Sequence, residues 1–160
     1  MVEVNKGPKE RKITSAHLAE MFGSDYRECI ERKAAGFGIR EKLVFFDSPK
    51  SHNGGSQALY IVEQYVGDDL ILVSVLEPNK ETSKHRHEAP MVQETYFHID
   101  GESFVEVGEK KLVLNRNQGM IEVPLDISHQ VRTQENPSLT LIIMKNARLV
   151  SPDRLHIQDV

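Results

Sequence analysis

The sequence predicts an all-β domain, a sandwich or closed barrel of many short strands, preceded by a short helical segment. Three observations carry that prediction. Short β-rich runs recur from residue 56 onward, turn residues break them at close spacing, and the stretch with helical periodicity lies before Gly36.

Taken in order, Leu18, Met21 and Phe22 repeat at helical spacing and predict a first helix over 15–22. Asp25 with Glu28 reads as a capping box ahead of Tyr26, Cys29 and Ile30, and Gly36 is expected to end this second helix. Residues 39–46 read as a strand, and the Ser-Pro-Lys-Ser-His-Asn-Gly-Gly-Ser stretch at 48–56 reads as a loop or linker. The expected division is therefore an accessory helical and extended segment over 1–55 and the β-domain over 56–160.

Within the second part, strands are predicted over 58–66, 70–76, 93–99, 104–107, 111–114, 120–123, 129–133 and 139–145. Gly67-Asp68-Asp69, Pro78-Asn79, Gly101, Gly108 and residues 115–119 supply the turns. The run at 139–145 is apolar on both faces, which implies a strand covered on both sides.

A chain of 160 residues buries one core comfortably, so one domain with an appendage is expected. The net charge of -4 gives no broad attraction to nucleic acid or to an anionic membrane. No apolar run approaches the roughly 20 residues needed to span a bilayer, and the N-terminus lacks the apolar stretch of a secretory signal. A cytoplasmic protein is the resulting expectation. The single cysteine, Cys29, excludes an internal disulfide and reads as a buried helix residue.

The chemistry concentrates in the histidines. Ser83-Lys84-His85-Arg86-His87 places two imidazoles two residues apart, which on a strand turns both to one face and Lys84 and Arg86 to the other. Such a pair suits Zn, Fe, Ni or Cu and does not complete a site. Glu94 opens the next apolar run, and Pro124-Leu125-Asp126-Ile127-Ser128-His129 brings a third imidazole to the head of a later strand. Glu88 is a competing carboxylate, although its adjacency to His87 turns it to the opposite face of a continuing strand.

These residues resemble the two motifs of the cupin superfamily. His85-x-His87, then Glu94 and, after six residues, Gly101 follow the order of the first, and Pro124 with His129 follows the end of the second. The resemblance covers roughly residues 55–147 and implies a double-stranded β-helix, or jelly-roll, barrel. It also implies one divalent transition metal ion (Fe, Mn, Zn or Ni) held by His85, His87, Glu94 and His129, with room on the ion for water or substrate. The chain departs from the motifs in three places. Six residues separate His87 from Glu94, so 88–93 is expected to form a long loop at the rim; Asp126 stands where the motif has a turn glycine; and Gly119 lies one residue closer to Pro124.

If Glu94 points inward, alternation sends Tyr96 and His98 inward as well, which makes both candidate catalytic residues. At about 6–7 Å per two residues, His98 is too far from Glu94 to share an ion. Val131 is expected inward and Arg132 outward. Lys80, Lys84 and Arg86 cluster near the mouth, either as a solvated face or as a phosphate or carboxylate binder, while His17, His52 and His156 read as surface residues.

The function classes implied are a metal-dependent isomerase or epimerase of a sugar or sugar phosphate, a dioxygenase, or a noncatalytic small-ligand or sensory module. The expected partners are a small molecule and a second copy of the chain in a homodimer, with no nucleic acid and no membrane. The helices are expected to cap the barrel or extend the dimer interface.

Overall fold

The computed structural model describes residues 13–51, 56–87, 93–150 and 157–158. Helix α1 spans Ser15–Phe22 and α2 spans Tyr26–Gly36. The capping box sits on the first helix, not the second. The Thr14 hydroxyl accepts from the His17 backbone N–H at 3.4 Å, and the His17 ring accepts from the Thr14 N–H at 3.1 Å. His17 is thus a capping residue. Asp25 precedes α2 at φ -97, ψ 18 without a side-chain cap bond, outside the extended conformation from which a carboxylate reaches the first turn. Cys29 is half-buried, with Arg32 Nη2 3.6 Å from its sulfur, because α2 turns Tyr26, Ile30 and Ala34 inward instead.

Eleven strands follow among the described residues: β1 Lys50–Ser51, β2 Leu59–Val66, β3 Asp69–Leu76, β4 His85–Arg86, β5 Glu94–Gly101, β6 Ser103–Val107, β7 Lys110–Leu114, β8 Met120–Val123, β9 His129–Arg132, β10 Ser138–Met144 and β11 Ile157–Gln158. They form a six-stranded sheet in the order β1-β2-β3-β10-β5-β8 and a five-stranded sheet in the order β11-β4-β9-β6-β7, every pair antiparallel. This is the predicted all-β jelly roll with a short helical segment.

Two predictions near the start of the barrel are corrected. Residues 39–46 form no strand, and the stretch read as a linker contains β1. The chain runs along the free edge of β2, but Gln64 interrupts the ladder. Its side-chain oxygen takes the Val44 N–H at 2.8 Å and its amide donates to Lys42 O at 3.2 Å, so backbone pairing is limited to Phe46 N–H to Ile61 O until β1. Pairing of Lys50 with Tyr60 and of Ser51 with Leu59 then completes the edge.

The six-stranded sheet is covered on both faces. On one, Leu18, Tyr26, Ile30 and Ala34 of the helices pack with Ile71, Val73 and Val75 of β3 and Leu139 and Leu141 of β10. On the other, Leu70, Leu72, Ile142 and Met144 meet Val105, Val107 and Leu114 of the second sheet. Each strand feeds two cores by simple alternation, so β3 and β10 are apolar on both faces apart from Asp69 at the start of β3 and the hydroxyls Ser74, Ser138 and Thr140. Ile30 and Leu18, at 0% and 1% exposure, fasten the helices to the sheet, each burial contributing about 1.5–3 kcal/mol.

Gly101 ends β5 at φ +74, where it pairs with Ser138 of β10. A Cβ there would lie 1.8 Å from Pro137 O. Both the conformation and the approach require glycine. No helix among the described residues is long and apolar enough to cross a membrane.

Candidate metal centre

Strands β4 and β9 are neighbours, with His85 directly opposite His129 in register and their rings 4.2 Å apart. His87 follows β4, and its carbonyl accepts from the Asp126 N–H at 2.7 Å, which ties it to the turn leading into β9. Asp126 holds φ 62 in that turn, the left-handed conformation that glycine supplies in the motif and that Asp tolerates better than most residues. Glu94 comes from the facing sheet, at the head of β5 between Met144 and Val123. Two strands of one sheet thus present imidazoles to a carboxylate from the other.

Ligand atoms of His85, His87, Glu94 and His129 all lie within 4.8 Å of one another. Ligands at about 2.0–2.2 Å from a common ion stand at most about 4.4 Å apart, so contraction by a few tenths of an ångström closes the shell. His87, Glu94 and His129 are 1%, 3% and 1% exposed, while His85 is half-buried. The Glu94 carboxylate pairs with His87 Nε2 and lies 3.2 Å from His129 Nε2.

The ring orientations fit a metal. His85 Nδ1 lies 3.0 Å from Ser83 O, and His129 Nδ1 lies 3.4 Å from Ile127 O. A carbonyl only accepts, so each Nδ1 carries the proton and, in a neutral ring, each Nε2 keeps its lone pair. That is how metal-binding histidines are commonly oriented. His129 Nε2 is buried outside hydrogen-bonding geometry, as a nitrogen reserved for a ligand would be.

Burial pushes the His85 imidazole down to about 4, with His129 and His87 acting in the same direction against Glu94 and the Ser83 carbonyl. It is neutral at pH 7, as ligation requires. Burial works to raise Glu94, but the His129 and His87 rings outweigh it and hold the carboxyl well below its usual range. Both groups bind fewer protons folded than unfolded, so stability falls as pH falls. For His85 the loss runs from the unfolded value near 6.5 down to about 4. The chelated protein is expected to lose on the order of 2–3 kcal/mol through His85 over that window, read by urea unfolding at each pH. A flat profile would contradict the depressed imidazole.

A cavity opens beside the cluster and is lined by Tyr60, Leu72, Ser74, Tyr96, Thr140 and Ile142, with His85 and Glu94 at the cluster end. The cavity volume is about 40 Å³, enough for roughly three waters at about 10–15 Å³ each. Tyr96 is 3% exposed, and burial followed by the charge of Glu94 raises its phenol well above the ordinary value. Val131 faces the cavity as predicted, and Arg132 faces out to Glu81 and Glu106 at 3.4 and 3.9 Å.

His98 is not among the residues lining this cavity. Its Nε2 bonds Gly101 O at 2.8 Å, next to the register shift between β5 and β10. Its observed place is a structural one at the end of β5. Lys80, Lys84 and Arg86 are absent from the lining as well. His52, Glu88, His156 and the expected rim loop, apart from Gln93, lie outside the described residues.

Sequence reasoning missed Tyr60, Ser74 and Thr140. The available signal was one hydroxyl in the otherwise apolar run Leu-Ile-Leu-Val-Ser-Val-Leu and two in Ser-Leu-Thr-Leu-Ile-Ile-Met.

The double sheet and the buried cluster at its end define a cupin fold with a site that fits a metal ion. Solved structures agree on the fold. A cupin 2 conserved barrel domain protein from Rhodopseudomonas palustris is similar over 73% of this chain and 83% of its own, at 15% identity and a TM-score of 0.53. KdgF from Halomonas sp. is similar over 69% of this chain and 98% of its own, at 16% identity and a TM-score of 0.54. A chain from the structures of the DMSP lyases RdDddP and RnDddQII is similar over 88% and 80%, at 15% identity and a TM-score of 0.55. Neither a protein-family model nor a curated protein matches the sequence.

Proposed function

We propose that this chain is a metal-dependent enzyme acting on a small polar molecule, either an isomerase or epimerase of a sugar or sugar phosphate, or a dioxygenase. The observation that carries this reading is the junction between four ligand-type side chains and a polar cavity. A structural metal site is closed by protein on every side, whereas a catalytic one keeps an approach for substrate. A divalent ion at the cluster would supply Lewis acidity toward a carbonyl or hydroxyl oxygen or, if it is iron, a place for dioxygen.

The surrounding side chains have definable tasks in this account. His85 and His129 are held in one tautomer by Ser83 O and Ile127 O, so neither ring reorients when a ligand arrives. The Tyr96 phenol stays protonated and donates to the Glu94 carboxylate, which leaves its oxygen to accept a hydrogen bond from a substrate hydroxyl. Leu72, Val131 and Ile142 form apolar wall between the hydroxyls and limit bulk water. The small volume favours a compact ligand over a polymer. Lyases are among the proteins that share the fold, so catalysis asks nothing new of it.

The test uses small hydroxy-carbonyl compounds. Incorporation of solvent deuterium at the carbon next to the carbonyl is the signature of isomerisation or epimerisation, and oxygen uptake that of dioxygenation. One of the two is expected, abolished by chelation and restored by a divalent metal. Ligand binding with neither activity would leave a noncatalytic binding module.

A further inference from the structure

We infer that the cavity selects an uncharged, hydroxyl-bearing ligand, a polyol or an unphosphorylated sugar, through a row of hydroxyls on Tyr60, Ser74 and Thr140. Tyr60 is opposite Ser74 between β2 and β3, and Ser74 is opposite Thr140 between β3 and β10. The three side chains therefore cross the sheet at one level. All three line the cavity, as do Ser138 and Thr82, and in the β5–β10 register Tyr96 lies between the level of Thr140 and Glu94. Ser74 and Thr140 are each 8% exposed and Tyr60 is half-buried, so two of the three hydroxyl-bearing residues are almost wholly removed from bulk water.

Hydroxyls in the middle of strands otherwise built of Leu, Ile and Val are costly unless something bonds to them on folding or on binding. A row of donors and acceptors of this kind matches the hydroxyls of a polyol and discriminates against an analogue that lacks them. The same wall is unsuited to a phosphate. No Lys or Arg lines the cavity among the described residues, and the Glu94 carboxylate faces it. An anionic group buried at the hydroxyl row would lose its hydration without gaining a side-chain counter-charge, because the divalent ion of the proposed site would stand at the far, cluster end with Glu94 offsetting one of its charges. Lys80, Lys84 and Arg86 neighbour Thr82 and Ser83 in the chain but stay outside the lining.

This inference narrows the substrate of the enzyme proposed above, and its test separates the two. Glycerol and dihydroxyacetone, each beside its phosphate ester, are titrated into the full chain and followed by nuclear magnetic resonance. The neutral probes are expected to bind at least about tenfold more tightly than the esters. A Ser74→Ala, Thr140→Val double variant is expected to weaken the neutral probes roughly tenfold, as loss of two hydrogen bonds implies, with metal content unchanged and a melting temperature no lower. If the double variant does not fold, Ser74→Ala alone is expected to weaken them roughly threefold. Equal or tighter binding of the esters, unchanged binding in the folded variants, or no binding of either neutral probe to the folded protein overturns the inference. Selective neutral binding without turnover or stoichiometric metal removes the enzyme and leaves the hydroxyl row standing.

Discussion

Replacing His129 by Ala is expected to lower affinity for a divalent transition ion about 1,000-fold, measured by competition with a chromogenic chelator. Structural zinc sites bind with roughly 10–16 kcal/mol, so removing one of four ligands forfeits on the order of 4 kcal/mol. His129 is at the centre of the cluster rather than its edge. Its ring lies 4.2 Å from that of His85 and 5.1 Å from that of His87, and its Nε2 lies 3.2 Å from the Glu94 carboxylate. At 1% exposure its ring is enclosed by protein in the cluster. His17→Gln, which changes a histidine at the cap of α1, is expected to leave metal affinity unchanged. Unaltered affinity in the His129→Ala protein would remove that residue from the ligand set.

The second large effect belongs to the fold. Gly101→Ala is expected to cost at least about 4 kcal/mol in urea unfolding, an exceptional loss for the addition of one methyl group. The left-handed backbone accounts for about 1–2 kcal/mol of it. The remainder is steric, because the new Cβ would fall 1.8 Å from Pro137 O and 3.1 Å from Ser138 Cα, backbone atoms that move only by parting β5 from β10. Gly67 separates the two contributions. It also has positive φ, at +62, but nothing lies within 4 Å of its Cβ position, so Gly67→Ala is expected to show the conformational cost alone. Equal losses at the two positions would refute the steric account.

Much of this molecule was legible in its sequence because the signals were local. Period-two alternation and turn residues located the long strands of the barrel to within about two residues, and the same alternation placed His85 with His87 and turned Arg132 outward. What stayed hidden depends on contacts across the chain. Nothing near residues 39–46 shows that the Gln64 amide replaces the ladder there. Thr14 with His17 escaped as a capping box because an imidazole takes the role usually given to Glu or Gln.

The site divides in the same way. Its histidines stand out as residues, but their convergence with Glu94 depends on the His85 and His129 register and on a carboxylate from the opposite sheet. Ser74 and Thr140 were easily passed over for the same reason. One hydroxyl in an apolar run does not alter the strand pattern, and only the pairing across β2, β3 and β10 makes a row of them.

The central claim is that four side chains from two facing sheets hold one ion. Protein purified without chelator and analysed for metal, with X-ray absorption at the edge of the element found, tests it most directly. About one divalent transition ion per chain is expected, in a nitrogen and oxygen shell that includes imidazole and is lost together with the ion in His129→Ala. A chain that takes up no stoichiometric ion when offered Fe, Mn, Zn or Ni, or one whose ion and shell survive in that variant, would contradict it.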